Sequence, residues 1–129
     1  MRLTGELATG TVITQGTSPD NLRTAVAQVR AGEAVSPRPH AHSVVTYVLC
    51  TTGPGAQKAM EAEYARWKCD PGGDFGVHGD AAAIASGVGR WVDAGADTIV
   101  LQPPVDADVE QFVSFVGREV RPILRLPVA

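Results

Sequence analysis

Five hydrogen-bonding side chains stand directly after apolar runs. Thr14 and Gln15 follow Val12-Ile13, Thr51 and Thr52 follow Val44 to Cys50, and Gln102 follows Thr98 to Leu101. If the runs are strands of a parallel α/β fold, their carboxyl ends converge where such folds hold ligands. Hydroxyl and amide groups there suit contacts to the polar edge of a ring-shaped ligand. Taken singly, each is as well explained by turn chemistry, because Thr and Gln satisfy backbone groups where strands end. Taken together, they read as a shared ligand rim.

Other reactive side chains are less organised. His40-x-His42, with His78 or a carboxylate as a third ligand, has the chemistry of a metal site. The two histidines lie on a loop between Pro37, Pro39 and the next strand, without helical His-x-x-x-His spacing or a cysteine pair. No metal site is expected, and surface-loop histidines are the simpler reading. His78, ahead of the Gly79-Asp80 helix start, is alternatively an acid/base group beside the rim. Cys50 belongs to an apolar run and is expected in the core, whereas Cys69, next to Lys68 and a loop, is the more reactive thiol. Thr17-Ser18 at a helix amino end reads as a cap before it reads as a phosphate site.

The elements that must position these groups recur as strand then helix. Thr11–Gln15 reads as a strand between Gly10 and Gly16. Ser18-Pro19-Asp20 starts a helix, with a hydroxyl cap and proline in its first turn. Leu22, Ala25, Val26 and Val29 give that helix one apolar face, and Gly32 is its expected stop. Val44–Cys50 is the strongest strand pattern. Ala56–Lys68 follows as a helix, with Met60, Tyr64 and Trp67 packed inward. The turn cluster Asp70–Asp74 is expected to be exposed and mobile. Asp80 caps a helix reaching Ala94, with Ile84, Val88, Trp91 and Val92 inward and Gly87 and Gly89 allowing close approach. Gly95 ends it, and Thr98–Leu101 reads as a strand covered on both faces and stopped by Pro103-Pro104. Asp106 then caps a last helix, with Val109, Phe112, Val113 and Val116 on one side. Ile123–Val128 forms the tail. Three parallel strands with flanking helices are therefore expected, in a single α/β domain over residues 1–129.

Composition excludes several classes. Of 129 residues, 44% are hydrophobic and 19% charged, an ordinary soluble balance for one domain. A net charge of −3 provides no basic field for nucleic acid or for a membrane surface. No apolar run approaches the ~20 residues that span a bilayer, and residues 1–20 lack a signal-peptide core. Two cysteines make no disulfide framework, so the cytoplasm is the expected compartment.

Three segments, in order, resemble the luciferase-like monooxygenase family. Gly5-Glu6-Leu7-Ala8-Thr9-Gly10-Thr11-Val12-Ile13 is similar to the family's helix end and following strand, with Thr9 where the family usually has Asp. Gly79-Asp80 through Ala94-Gly95-Ala96-Asp97-Thr98-Ile99-Val100-Leu101 is similar to its penultimate helix and final strand. Glu119-Val120-Arg121-Pro122-Ile123-Leu124 is similar to its closing helix end. The resemblance spans almost the whole chain and corresponds to the carboxyl-terminal portion of the family's (β/α)8 barrel. It implies a partial (β/α)8-type barrel and an oxidoreductase or monooxygenase using FMN or coenzyme F420, with a small-molecule substrate. It also implies that Thr14, Gln15, Thr51, Thr52 and Gln102 face the flavin-like ring. The family's phosphate-binding glycine segment and most of its catalytic side chains belong to the half not represented here. A non-catalytic flavin-binding or oligomerising subunit is the alternative, and an unrelated structural α/β domain the second.

Three apolar strands leave two open edges and an inward face with nothing to pack on, and such surfaces associate. A homodimer or higher homo-oligomer that completes the sheet is expected.

Overall fold

A computed structural model describes residues 1–125. The order of elements is α1 (Arg2–Leu7), β1 (Gly10–Ile13), α2 (Pro19–Glu33), β2 (Ser43–Thr52), α3 (Ala56–Arg66), β3 (Gly76–Gly79), α4 (Ala81–Asp93), β4 (Thr98–Gln102) and α5 (Val109–Phe115). A π turn over Val116–Val120 and a 3-10 turn over Arg121–Ile123 close the described chain. Residues 126–129 of the expected tail lie outside the described residues.

All pairings are parallel and all involve β2. β1 runs beside Ser43–Thr46, β3 beside Leu49–Thr52, and β4 beside Val45–Leu49. Because β4 shares Val45 and Thr46 with β1 and Leu49 with β3, it must occupy the opposite edge of β2 from both. The sheet is therefore β1 and β3 end to end on one side, β2 in the centre and β4 on the other. Four strands replace the three expected. Gly76-Val77-His78-Gly79 carries no apolar run or alternation, and its strand conformation comes from the ladder that β2 offers it. The Cβ position of Gly76 lies 2.7 Å from the Leu49 carbonyl oxygen, so only glycine lets the two backbones approach this far.

The helix starts follow local chemistry. Ser18, Asp80 and Asp108 each accept a hydrogen bond from a backbone N–H three residues on. Asp108, not the expected Asp106, caps the last helix. Gly32 is not a stop but lies inside α2. A Cβ there would overlap the Arg2 carbonyl oxygen, and one on Gly5 would overlap that of Val29. The paired glycines bring α1 and α2 into backbone contact. Of the two α4 glycines, Gly87 allows close approach, with its Cβ position 2.6 Å from Val77 Cγ1, while Gly89 faces open space. Gly95 does end its helix, with φ +107°.

The main core lies on one face of the sheet. Val44, Val48 and Cys50 of β2 meet Leu22 and Val29 of α2, Ile84, Val88 and Trp91 of α4, and Phe112 of α5. Trp91 is fully buried and donates through Nε1 to the Thr17 carbonyl at 3.1 Å. The other face is covered only toward its carboxyl end, where Leu49 packs on Met60 and Tyr64 of α3, with Cys69 and Phe75 beside them. Trp67 is not an inward residue of α3. It is exposed, lies under the Arg66 guanidinium and donates to Glu63.

At the amino end the second face is uncovered. The register aligns Val12, Val45 and Thr98 in one row and Tyr47 with Val100 in the next. Val12 is 60% exposed, and Val45, Tyr47 and Val100 are half-buried. β4 is therefore not the doubly covered strand that its apolar run suggests. No residue of it is fully buried, and among the described residues no strand pairs with its outer edge.

Candidate functional site

The two ends of the sheet are built for different purposes. At the amino end, Asp97 closes the helix-to-strand turn with reciprocal bonds to β2. Its N–H donates to the Val44 carbonyl at 2.9 Å, and the Val44 N–H donates to Asp97 Oδ2 at 2.7 Å. Arg30 Nη1 donates to the His42 carbonyl at 2.7 Å and to Glu33 Oε2 at 2.9 Å, and its Nη2 reaches Asp97 at 3.5 Å. Glu33 in turn accepts from the His42 N–H. The bond from Arg30 is the largest influence holding the Glu33 carboxyl below its ordinary range, and it raises Arg30 in return.

His42 is part of this brace rather than a surface-loop residue. It is buried, and its Nδ1 lies 2.8 Å from the Ala8 carbonyl, which can only accept. Its Nε2 is hydrogen-bonded to the Thr11 hydroxyl at 2.7 Å. The half-buried His40 places its own nitrogens 2.7 Å from the carbonyls of Ala8 and Arg38. Both histidines thus tie the proline-rich loop to the turn between α1 and β1. Among the described residues, no three His, Cys, Asp or Glu side chains gather as a metal-binding group.

This arrangement explains the Ala-Gly-Ala-Asp step physically: the glycine turns the chain and the aspartate anchors it to the neighbouring strand. Replacing Asp97 with alanine leaves the N–H of fully buried Val44 without its acceptor. The expected cost is about 1–3 kcal/mol in urea unfolding. Asp97→Asn keeps an acceptor oxygen and should cost less.

The carboxyl end carries the five residues singled out in the sequence. Thr14 is exposed, and its carbonyl accepts from the Thr17 hydroxyl. Gln15 and Thr52 are half-buried. Thr51 is buried and its hydroxyl donates to the Ala56 carbonyl at 2.6 Å, so it holds the start of α3. Gln102, opposite Leu49 in the ladder, has a buried Oε1 without a hydrogen-bond partner among the described residues. A buried amide oxygen is rarely left unpaired. Gln102 alone among the five has unspent polar capacity of this kind. β1 stops at Ile13 rather than at the expected Gln15, so Thr14 and Gln15 follow it beside the amino half of β2, whereas Thr51, Thr52 and Gln102 lie toward the carboxyl half of β2. The structure therefore groups three of the five.

Above this end stands Glu63, which composition and spacing did not single out. It is buried, and its carboxylate accepts from the Val105 N–H at 3.3 Å and from Trp67 Nε1 at 3.1 Å. The loop after β4 is thereby fastened to α3. The sequence does hold a signal, since Glu63 falls within the stripe Met60, Tyr64, Trp67 that was read as apolar. His78 is exposed and lines a groove of about 460 Å³ with Glu61, Asp74 and Arg90. Asp74 and Arg90 pair through two bonds of 2.8 and 3.0 Å.

The two cysteines differ in burial. Burial pushes the Cys50 thiol up to about 12 and also raises Cys69. Cys50 is in the core as expected, and half-buried Cys69 is the less shielded of the two thiols. A second groove, of about 990 Å³, runs along β4 and α5 at the other side of the molecule, between Ile99, Leu101, Phe112 and Val113. None of the five rim residues lines either groove.

Likeness to known proteins is a matter of fold. No protein-family model and no curated protein matches the chain by sequence. The coenzyme F420-dependent tetrahydromethanopterin reductase of Methanopyrus kandleri superposes with a TM-score of 0.74 at 16% identity, covering 96% of this chain and 48% of that one. An F420-dependent secondary alcohol dehydrogenase, solved with an F420-acetone adduct, superposes with a TM-score of 0.73 at 14% identity, covering 96% and 45%. The chain thus spans about half the length of these solved relatives. The α/β fold with a parallel sheet and flanking helices, expected as part of a larger barrel, is observed. Among the described residues no helix is long and apolar enough to cross a membrane.

Proposed function

We propose that this chain is a luciferase-like half-barrel of the oxidoreductase class that holds a deazaflavin or flavin ring, coenzyme F420 or FMN, at the carboxyl ends of its strands. The observation that carries the reading is the unpaired Oε1 of Gln102, buried at the end of β4 in a fold shared with two F420-dependent enzymes. An acceptor oxygen in that place fits a ring N–H. Thr51, on the same face of β2 as the Leu49–Gln102 pair and already bonded to Ala56, supports the rim, while Thr52 projects from the opposite face. When bound, such a cofactor supplies hydride transfer to or from a small organic substrate, and the protein supplies binding and orientation. α3, fastened over the strand ends by Glu63 and Thr51, shields this end from water. Homo-oligomerisation, covering the open sheet face and edges, belongs to the same reading.

Holding the ligand without turnover is a second reading with its own support. Thr14, Gln15, Thr51, Thr52 and Gln102 include no group that titrates near neutral pH, so the rim itself supplies no acid or base.

Gln102→Leu tests the assignment. Removing an unsatisfied buried oxygen for an apolar group of similar size is neutral or stabilising in the free protein. The variant should melt at or above the wild-type temperature, and added coenzyme F420 should raise its melting point less than it raises that of the wild type. An equal ligand-induced rise in both would remove Gln102 from the site. No rise in either, with F420 or FMN, would remove the cofactor reading.

A further inference from the structure

The groove beside β4 and the exposed ridge of α1 are chemically matched, and they lie at opposite edges of the molecule. α1 is seated on α2 through Gly5, and at about 100° per residue Leu3 and Leu7 fall on the side of the helix directly away from Gly5. They are 65% and 68% exposed, a two-leucine ridge with no cover of its own. The groove is walled by Ile99 and Leu101 of β4, Val92 of α4, and Phe112 and Val113 of α5, with Val113 62% exposed. Arg121 at its side forms no ion pair among the described residues, and neither does Glu6 of α1.

We infer that α1 of a second copy of this chain fills this groove, across a seam in which β1 of one copy lies beside β4 of the other. The inference rests on the oligomer reading above and says which surfaces meet. Several observations select a second copy as the occupant. A two-fold axis parallel to the strands preserves strand direction, so β1 beside β4 extends an all-parallel sheet. The same operation creates two identical seams, closes both open edges and turns the uncovered row of Val12, Val45, Tyr47 and Val100 toward its counterpart. α1 immediately precedes β1, so it arrives at the β4 edge with the strand it leads. The two charges without an ion pair among the described residues are also opposite, Glu6 on the incoming helix and Arg121 beside the groove.

Two single substitutions at exposed positions test this without disturbing the core. Leu7→Cys and a tagged Val113→Cys chain are mixed and oxidised, with wild type as the background for buried Cys50 and half-buried Cys69. A disulfide joining the two different chains, together with a solution mass of twice 13.5 kDa, is the expected result. Leu7→Asp should return the mass to one chain. A two-chain mass with cross-links only between like variants would overturn the α1-to-groove contact while leaving oligomerisation in place. A one-chain mass for wild type would overturn both. A two-chain mass seen only after removal of residues 126–129 would mean that the chain's own tail occupies the groove, and would equally overturn the contact.

Discussion

Trp91→Ala is expected to lower the unfolding free energy by about 3–5 kcal/mol, the range for deleting a large aromatic side chain from a core. Trp91 has no exposed surface and sits where α4 meets Leu22 and Val29 of α2 and the central strand. Its removal leaves a cavity that three separate elements would have to collapse. The Thr17 carbonyl also loses its donor at the turn between β1 and α2. Against a total stability of about 5–15 kcal/mol for a domain, the loss is a large share of what holds the chain folded. Trp91→Phe refills part of the volume but not the hydrogen bond, and should fall between. Urea unfolding measures both. A loss for alanine below about 1 kcal/mol would mean that this part of the core is not packed as described.

Gly32→Ala is informative because two effects predict opposite signs. Within a helix, alanine is intrinsically better than glycine by about 1 kcal/mol, so an uncrowded Gly32 would be stabilised by the change. Here the new methyl meets the Arg2 carbonyl, a backbone atom that no rotamer change can move aside. Overpacking of this kind costs about 1–3 kcal/mol, and the cheapest relief is for α1 to leave α2. The expected outcome is a lower melting temperature or a detached α1, together with loss of the cross-link between α1 and the β4 groove. Stabilisation would show that the two helices are not in backbone contact.

The fold was legible wherever one element's own residues decide it. The Ser18 and Asp80 caps, the β2 run and the Gly95 turn all carry local signals, and each structure follows its signal. β3 was not legible, because Gly-Val-His-Gly becomes a strand only through the ladder of β2. Gly32 was misread as a stop because glycine suits both a helix end and a helix crossing, and only Gly5 on the facing helix distinguishes them. β4 was read as doubly covered from an apolar run that would suit a larger barrel. Among the described residues no element covers its second face. For the candidate site, the sequence picks out the strand ends but cannot rank them. Thr51 and Gln102 look alike as polar residues after apolar runs. Only the structure separates a hydroxyl already spent on Ala56 from an amide oxygen with no partner. Glu63 was hidden inside an apolar stripe, and the histidines hid a structural role, because His42 meets Ala8 and Thr11 more than 30 residues away.

The central claim is that the carboxyl ends of these strands hold a deazaflavin or flavin ring. The most direct measurement is the cofactor's own fluorescence, followed as purified protein is titrated into coenzyme F420 and, separately, into FMN. The predicted result is a saturable change with at least one of them, at a fixed number of cofactors per chain, weakened in Gln102→Leu. A folded protein that leaves the fluorescence of both cofactors unchanged would contradict it.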